Sequence, residues 1–138
     1  MSDYFYALSR VLISAVFIVF GVLQFTNIPG YAANPALLKF IAVTGGVLSP
    51  TLVAYVVAAI DLFGGILILV GFQTRWTAIV LIAFVVLTII FAHPFWTMEG
   101  PARAANQVQH YKNLAIIGGL ILLAIMGAGR ISVDRRNG

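Results

Sequence analysis

Four long apolar runs constrain this chain more than any motif does, because each is close to the roughly 20 helical residues that cross a hydrocarbon core about 30 Å thick. They are about Tyr4–Phe25, Thr51–Phe72, Trp76–Ala92, and a fourth that starts between Asn106 and Lys112 and ends near Gly127 or Gly129. A segment inside lipid must satisfy its own backbone hydrogen bonds, so the runs are read as helices. Composition agrees: of 138 residues, 62% are hydrophobic and 9% charged, far from the balance of a soluble domain. The expected fold is all-α, an integral membrane four-helix antiparallel bundle forming a single domain over residues 1–138.

The connections refine that picture. Asn27, Pro29 and Gly30 stop the first helix, Ser49 and Pro50 start the second, and His93-Pro94 stops the third. The turn from Phe72 to Arg75 is tight, which makes the second and third helices antiparallel neighbours. Residues 26–50 and 93–110 are long connections on the opposite side. Within the first of them, Ala36–Val47 (ALLKFIAVTGGV) is too short to span and carries Lys39, which predicts a short interfacial or re-entrant helix. The opening MSDYFYALSR lacks a basic leader and a small-residue cleavage site, so the N-terminus is expected to be retained.

Charge sets the expected orientation. Arg10, Arg75, Arg130, Arg135 and Arg136 fall on the side of the termini, against Lys39, Arg103 and Lys112 on the other. Discounting Arg10 and Lys112 as intramembrane leaves the same sign, and predicts cytoplasmic termini in a bacterial inner (plasma) membrane. The net charge of +4 is scattered rather than blocked, which fits headgroup anchoring and excludes nucleic acid as a partner. Cysteine is absent, which removes chain-borne thiol–disulfide exchange, thiolate metal sites and iron–sulfur ligation.

Polar residues recur on stripes with small ones, where membrane helices meet. Steps of three and four place Arg10, Ser14, Phe17, Gly21 and Gln24 on one face of helix one, and Ala54, Ala58, Asp61, Gly65 and Ile68 on one face of helix two. Helix four offers Val108, Lys112, Ala115, Gly119 and Leu122. All three stripes are expected to point inward, with the pairs Gly64-Gly65 and Gly118-Gly119 serving close helix packing. Arg10, Asp61, Lys112 and Asn113 then form an intramembrane polar cluster. Levelling Tyr4 with Phe72 puts Arg10 and Asp61 about 7 Å apart along the axis, within an arginine's reach. Arg10 is therefore the expected partner of Asp61, and Lys112 the rival. Both a structural ion pair and a direct role in ligand or proton handling fit such residues.

The segment HPFWTMEGPARAANQVQHYKN, residues 93–113, carries the second constellation. His93, Trp96, His110 and Tyr111, joined by Gln24, are the candidate small-molecule site, for a redox or lipid-like ligand; an aromatic belt at the headgroups is the structural alternative. Two histidines at helix ends among polar residues make a poor bis-imidazole haem site, and His93, Glu99 and His110 match no metal-ligand spacing, so no metal is expected.

Arg10, FGVLQF, the acid followed by GGILILVGFQTR, HPFW, HYKN and the closing GAGRISVDRR together resemble, in that order, the DoxX family of small bacterial inner-membrane proteins. Arg10, Asp61, His93, Lys112 and Asn113 match polar positions of that pattern, where many members have Glu in place of Asp61. The resemblance implies a four-helix membrane protein in a group named after a subunit linked to thiosulfate:quinone oxidoreduction, some relatives of which look like accessory subunits. The resulting expectation is an accessory subunit of a membrane complex that contacts quinone or another membrane-soluble molecule. The alternatives are a quinone-coupled oxidoreductase subunit using His93 or His110 for protons, and a small transporter or channel using Asp61, for which one buried acid is a poor pathway. Quinone is the one cofactor this leaves open. A membrane partner subunit or a homo-oligomer through lipid-facing small residues is the protein partner.

Overall fold

Proline and short polar side chains start most of the helices. Pro35 and Pro50 occupy first helical positions, where a missing N–H costs nothing, and Asn34 and Ser49 before them accept from Ala36 and Leu52 N–H. The computed structural model describes residues 2–136; Met1, Asn137 and Gly138 lie outside the described residues. The elements are α1 (Ser2–Thr26), α2 (Ile28–Ala32), α3 (Pro35–Val43), α4 (Pro50–Val70), α5 (Thr74–Ala92) and α6 (Gly100–Met126), with 3-10 turns at Phe95–Thr97 and Asp134–Arg136. Among the described residues, four helices (α1, α4, α5 and α6) are long and apolar enough to cross a membrane. The all-α membrane bundle is therefore the architecture found.

The short turn between α4 and α5 closes as its sequence requires. Gly71 takes φ 70°, its N–H bonds Ile68 O at 3.2 Å and that of Phe72 bonds Leu67 O at 3.0 Å, a Schellman cap that demands a left-handed residue. Two elements start earlier or divide more finely than expected. The first long connection holds two short helices rather than one, because Asn27 and Asn34 each cap a new start. Helix α6 begins at Gly100 rather than between Asn106 and Lys112. Its first turns, GPARAANQ, are polar but made largely of good helix formers, so the helix extends past the apolar part. At 27 residues α6 is about 40 Å long, exceeding the hydrocarbon thickness of about 30 Å by some two turns.

Helices α1 and α4 make the tightest interface. A Cβ on Gly21 would stand 2.5 Å from the Leu62 backbone nitrogen, and one on Gly65 2.9 Å from that of Ile18, so neither position admits a side chain. The stripes predicted on these two helices are buried at every position. The stripe predicted on α6 is not: Val108, Lys112, Ala115 and Leu122 are exposed, and the inward face is instead Ile116, Leu120 and Leu123. That face meets Leu81 and Val85 of α5, Phe17 of α1 and Ile68 of α4 in one apolar core. A second core, of Ile28, Leu37, Ile41, Val53, Ala54 and Ala58, seats α2 and α3 on α4 at the end away from the termini. Of the two glycine pairs, Gly64, Gly65 and Gly119 meet neighbouring helices, whereas Gly118 faces open space.

Candidate functional site

The close α1–α4 approach fixes which polar groups meet. With Gly21 against Leu62 in an antiparallel pair, Asp61 stands opposite Val22, twelve residues from Arg10 and about 18 Å from it along the axis. The expected Arg10–Asp61 pair is therefore absent. The 7 Å offset assumed level helix ends, but the first turns of α1 overhang α4, and Arg10 reaches the α4–α5 turn beside Gly71.

Asp61, 5% exposed, accepts a hydrogen bond from Gln24 Nε2 at 2.7 Å, and Gln24 is itself 4% exposed. The same Gln24 nitrogen lies 3.3 Å from the Tyr31 hydroxyl of α2, so one amide links α1, α4 and α2. Gln24 Oε1 is buried without a partner among the described residues. Gln24 thus belongs with Asp61 and not with the loop-end histidines. Its place on the same stripe as Arg10 and Gly21 was the signal for this.

Arg10 serves the opposite end. Its Nη2 donates to Ile131 O, while Nε and Nη1 are buried without partners. The tail after α6 folds back over this end: Val133 N bonds Val70 O at 3.1 Å, and Asp134 N bonds Gly71 O at 2.8 Å. The Asp134 carboxylate then accepts from Gln73 N at 2.6 Å and Thr74 N at 3.0 Å, capping α5. Burial of Asp134 disfavours its charge, but the hydrogen bonds from Thr74 and Gln73 and the nearby Arg10 guanidinium outweigh it, holding the carboxyl below the usual range. Nothing in the sequence pattern of residues 127–136 marked Asp134 as a helix cap, because its helix lies sixty residues earlier.

Lys112 and Asn113 join neither group. Lys112 is exposed and donates to Gln109 Oε1 at 2.8 Å, pointing back toward the start of α6, as a snorkelling side chain does. The predicted four-residue cluster is thus three separate sites.

At the loop end the histidines behave differently from each other. His93 Nδ1 lies 2.9 Å from Asn106 Oδ1, and since Asn106 Nδ2 donates to Ala102 O, the histidine nitrogen is the donor. His110 is framed by rings: Phe95 at 5.0 Å, Tyr111 at 5.6 Å and Trp96 at 5.8 Å between centroids, all near edge-to-face. Its Nδ1 is buried and unpartnered among the described residues. Phe95, within HPFW but not singled out, is the ring nearest His110, and the Arg103 guanidinium stands over the Phe95 ring, 5.9 Å from its centroid. Among the described residues no three His, Asp or Glu side chains gather closely enough to hold a metal ion, so His93, Glu99 and His110 do not converge.

These features define a four-span helical membrane protein with one polar group sealed between two spans and an aromatic frame at one end. The chain belongs to the DoxX family, whose profile matches residues 5–94. It is 33% identical over 129 residues to inner membrane protein YphA of Escherichia coli K12, covering 94% of this chain and 87% of that one. Inner membrane protein YqjF of the same organism is 35% identical over 127 residues, covering 92% and 87%. The ER-derived vesicles protein ERV29 of Saccharomyces cerevisiae is 31% identical over 77 residues, 56% of this chain but 25% of that protein. No solved structure matches the chain significantly. The protein is thus a small multi-pass inner-membrane member of that family, with the lipid bilayer as its environment.

Proposed function

We propose that this chain is a non-catalytic subunit of a membrane complex and holds a planar membrane-soluble molecule, of the quinone class, against His110. The observation that carries this reading is the buried, unpartnered Nδ1 of His110 inside a frame of three aromatic rings. A quinone offers a flat ring to stack on and a carbonyl to accept or share a proton, and imidazole exchanges protons near neutral pH. His93 has a structural partner in Asn106, so His110 is the histidine free to serve a ligand. The separation of Arg10, Asp61 and Lys112 supports binding over an ion path, which needs adjoining polar steps. In this reading both termini are cytoplasmic and the frame faces the periplasm.

The test is native purification followed by organic extraction and quinone analysis. Wild-type protein is expected to carry quinone and His110→Ala to lose most of it at unchanged thermal stability. Quinone-free wild-type protein that also fails to perturb the spectrum of an added quinone analogue defeats the ligand, and purification without a stoichiometric partner defeats the subunit role.

A further inference from the structure

Arg75, Arg130 and Arg135 stand at the end that carries the termini, and among the described residues none has a close ion-pair partner. Arg75 and Arg135 line a shallow groove of about 410 Å³ between the start of α5 and the tail, with Trp76 on its rim. Arg130 lines a second hollow along the same tail, and its ion pair with Asp3 is a long 4.0 Å contact between half-exposed or exposed groups, worth little. Among the described residues, Arg75 and Arg135 have no hydrogen-bond or ion-pair partner. Asp134 is the groove's one acid, and both of its oxygens are engaged by Gln73 and Thr74 N–H.

Depth decides what such a groove meets. Helices α4 and α5, at 21 and 19 residues, are about 31 and 28 Å long, so each barely crosses the hydrocarbon and their turn stands at its edge. Arg75 in the first turn of α5 is then level with lipid phosphates. Trp76, 70% exposed, lies where tryptophan prefers to sit, between acyl chains and headgroups. Gly127 leaves the guanidinium of Arg75 room at the floor: a Cβ there would stand 3.3 Å from Arg75 Nε.

We propose that this groove is a binding site for the phosphate headgroup of an anionic phospholipid, held by Arg75 and Arg135 with its glycerol and upper acyl chain along Trp76. Paired guanidiniums suit a phosphodiester because each offers a planar fork of donors. The net positive balance in the groove selects an anionic over a zwitterionic lipid, as basic hollows between spans do on other membrane proteins.

The test uses full-length protein carrying Trp96→Phe, which leaves Trp76 as its one tryptophan, reconstituted in phosphatidylcholine vesicles. Brominated phosphatidylglycerol is expected to quench Trp76 more strongly than brominated phosphatidylcholine at equal mole fraction, and salt is expected to reduce that preference. Arg75→Gln with Arg135→Gln is expected to weaken the preference by about 30-fold, two basic side chains at roughly fivefold each, whereas Arg103→Gln leaves it intact. Equal quenching by the two lipids overturns the proposal, as does a preference that survives both the double substitution and high salt. Loss of the preference on replacing chloride with inorganic phosphate at constant ionic strength overturns it too, since the ligand would then be a free anion. Should the double variant fail to fold, the salt series on the parent protein decides.

Discussion

An aspartic acid carried to the middle of a membrane-spanning helix costs roughly 2.5–3.5 kcal/mol on insertion scales, and a hydrogen bond from a buried amide offsets part of that. Gln24 supplies this bond to Asp61 at 2.7 Å, so the two residues form one energetic unit. In detergent, Gln24→Ala and Asp61→Ala are each expected to lower stability by about 1–3 kcal/mol, with the double variant losing clearly less than the sum. Arg10→Ala combined with Asp61→Ala is expected to be additive within about 0.5 kcal/mol, because the two are too far apart to couple. A Gln24–Asp61 pair that is additive in thermal or denaturant unfolding defeats the assignment. That both residues face inward was legible from spacing alone, since glycine and alanine share their stripes. Which polar residue meets which was not: it depends on the axial stagger of α1 against α4, and stagger is set by where Gly21 finds Leu62, not by the ends of the apolar runs.

Helix α6 shows where a stripe stops being informative. From Leu114 to Met126 it has no polar side chain, so its sequence offers an apolar surface in every direction, and the stripe through Lys112, Ala115 and Leu122 marked a face that is exposed on the bundle. What selects the inner face is shape: Leu120 and Leu123 fit between Leu81 and Val85 of α5, and Leu120 is wholly buried while Leu122 is 59% exposed. Leu120→Ala is therefore expected to cost on the order of 2–3 kcal/mol, through the cavity it leaves, and Leu122→Ala close to nothing. Thermal unfolding of the two variants in the same detergent separates the faces. Equal losses would mean that α6 is turned about its axis relative to this arrangement. The early polar turns of α6 escaped notice for a related reason. Hydropathy marks where a helix leaves the hydrocarbon, whereas Pro101 and the alanines that follow set where it begins.

On the scale of the whole molecule, the two ends are built differently, and that difference bears on which way the protein faces. One end is closed by the tail, through Arg10, Asp134 and the α4–α5 turn, and it displays Arg75, Arg130 and Arg135. The other is closed by α2 and α3 and by the His110 frame, and its basic residues are Lys39, Arg103 and the snorkelling Lys112. Basic residues flanking spans are retained on the cytoplasmic side during insertion, so the excess on the tail end is the ground for expecting both termini in the cytoplasm. Folding alone is indifferent to this choice, since the same bundle forms in either orientation. Single cysteines at Asn34, at Ala102 and at Asn137, the last beyond the described residues, convert the expectation into an experiment, because the chain has no cysteine of its own. In intact cells with a permeabilised outer membrane, an impermeant thiol reagent is expected to label Asn34→Cys and Ala102→Cys, and to reach Asn137→Cys only after the inner membrane is opened. Labelling of Asn137→Cys alone in intact cells would invert the topology. It would move the aromatic frame to the cytoplasmic face and bring the basic groove against the outer leaflet, while leaving every contact within the bundle as it stands.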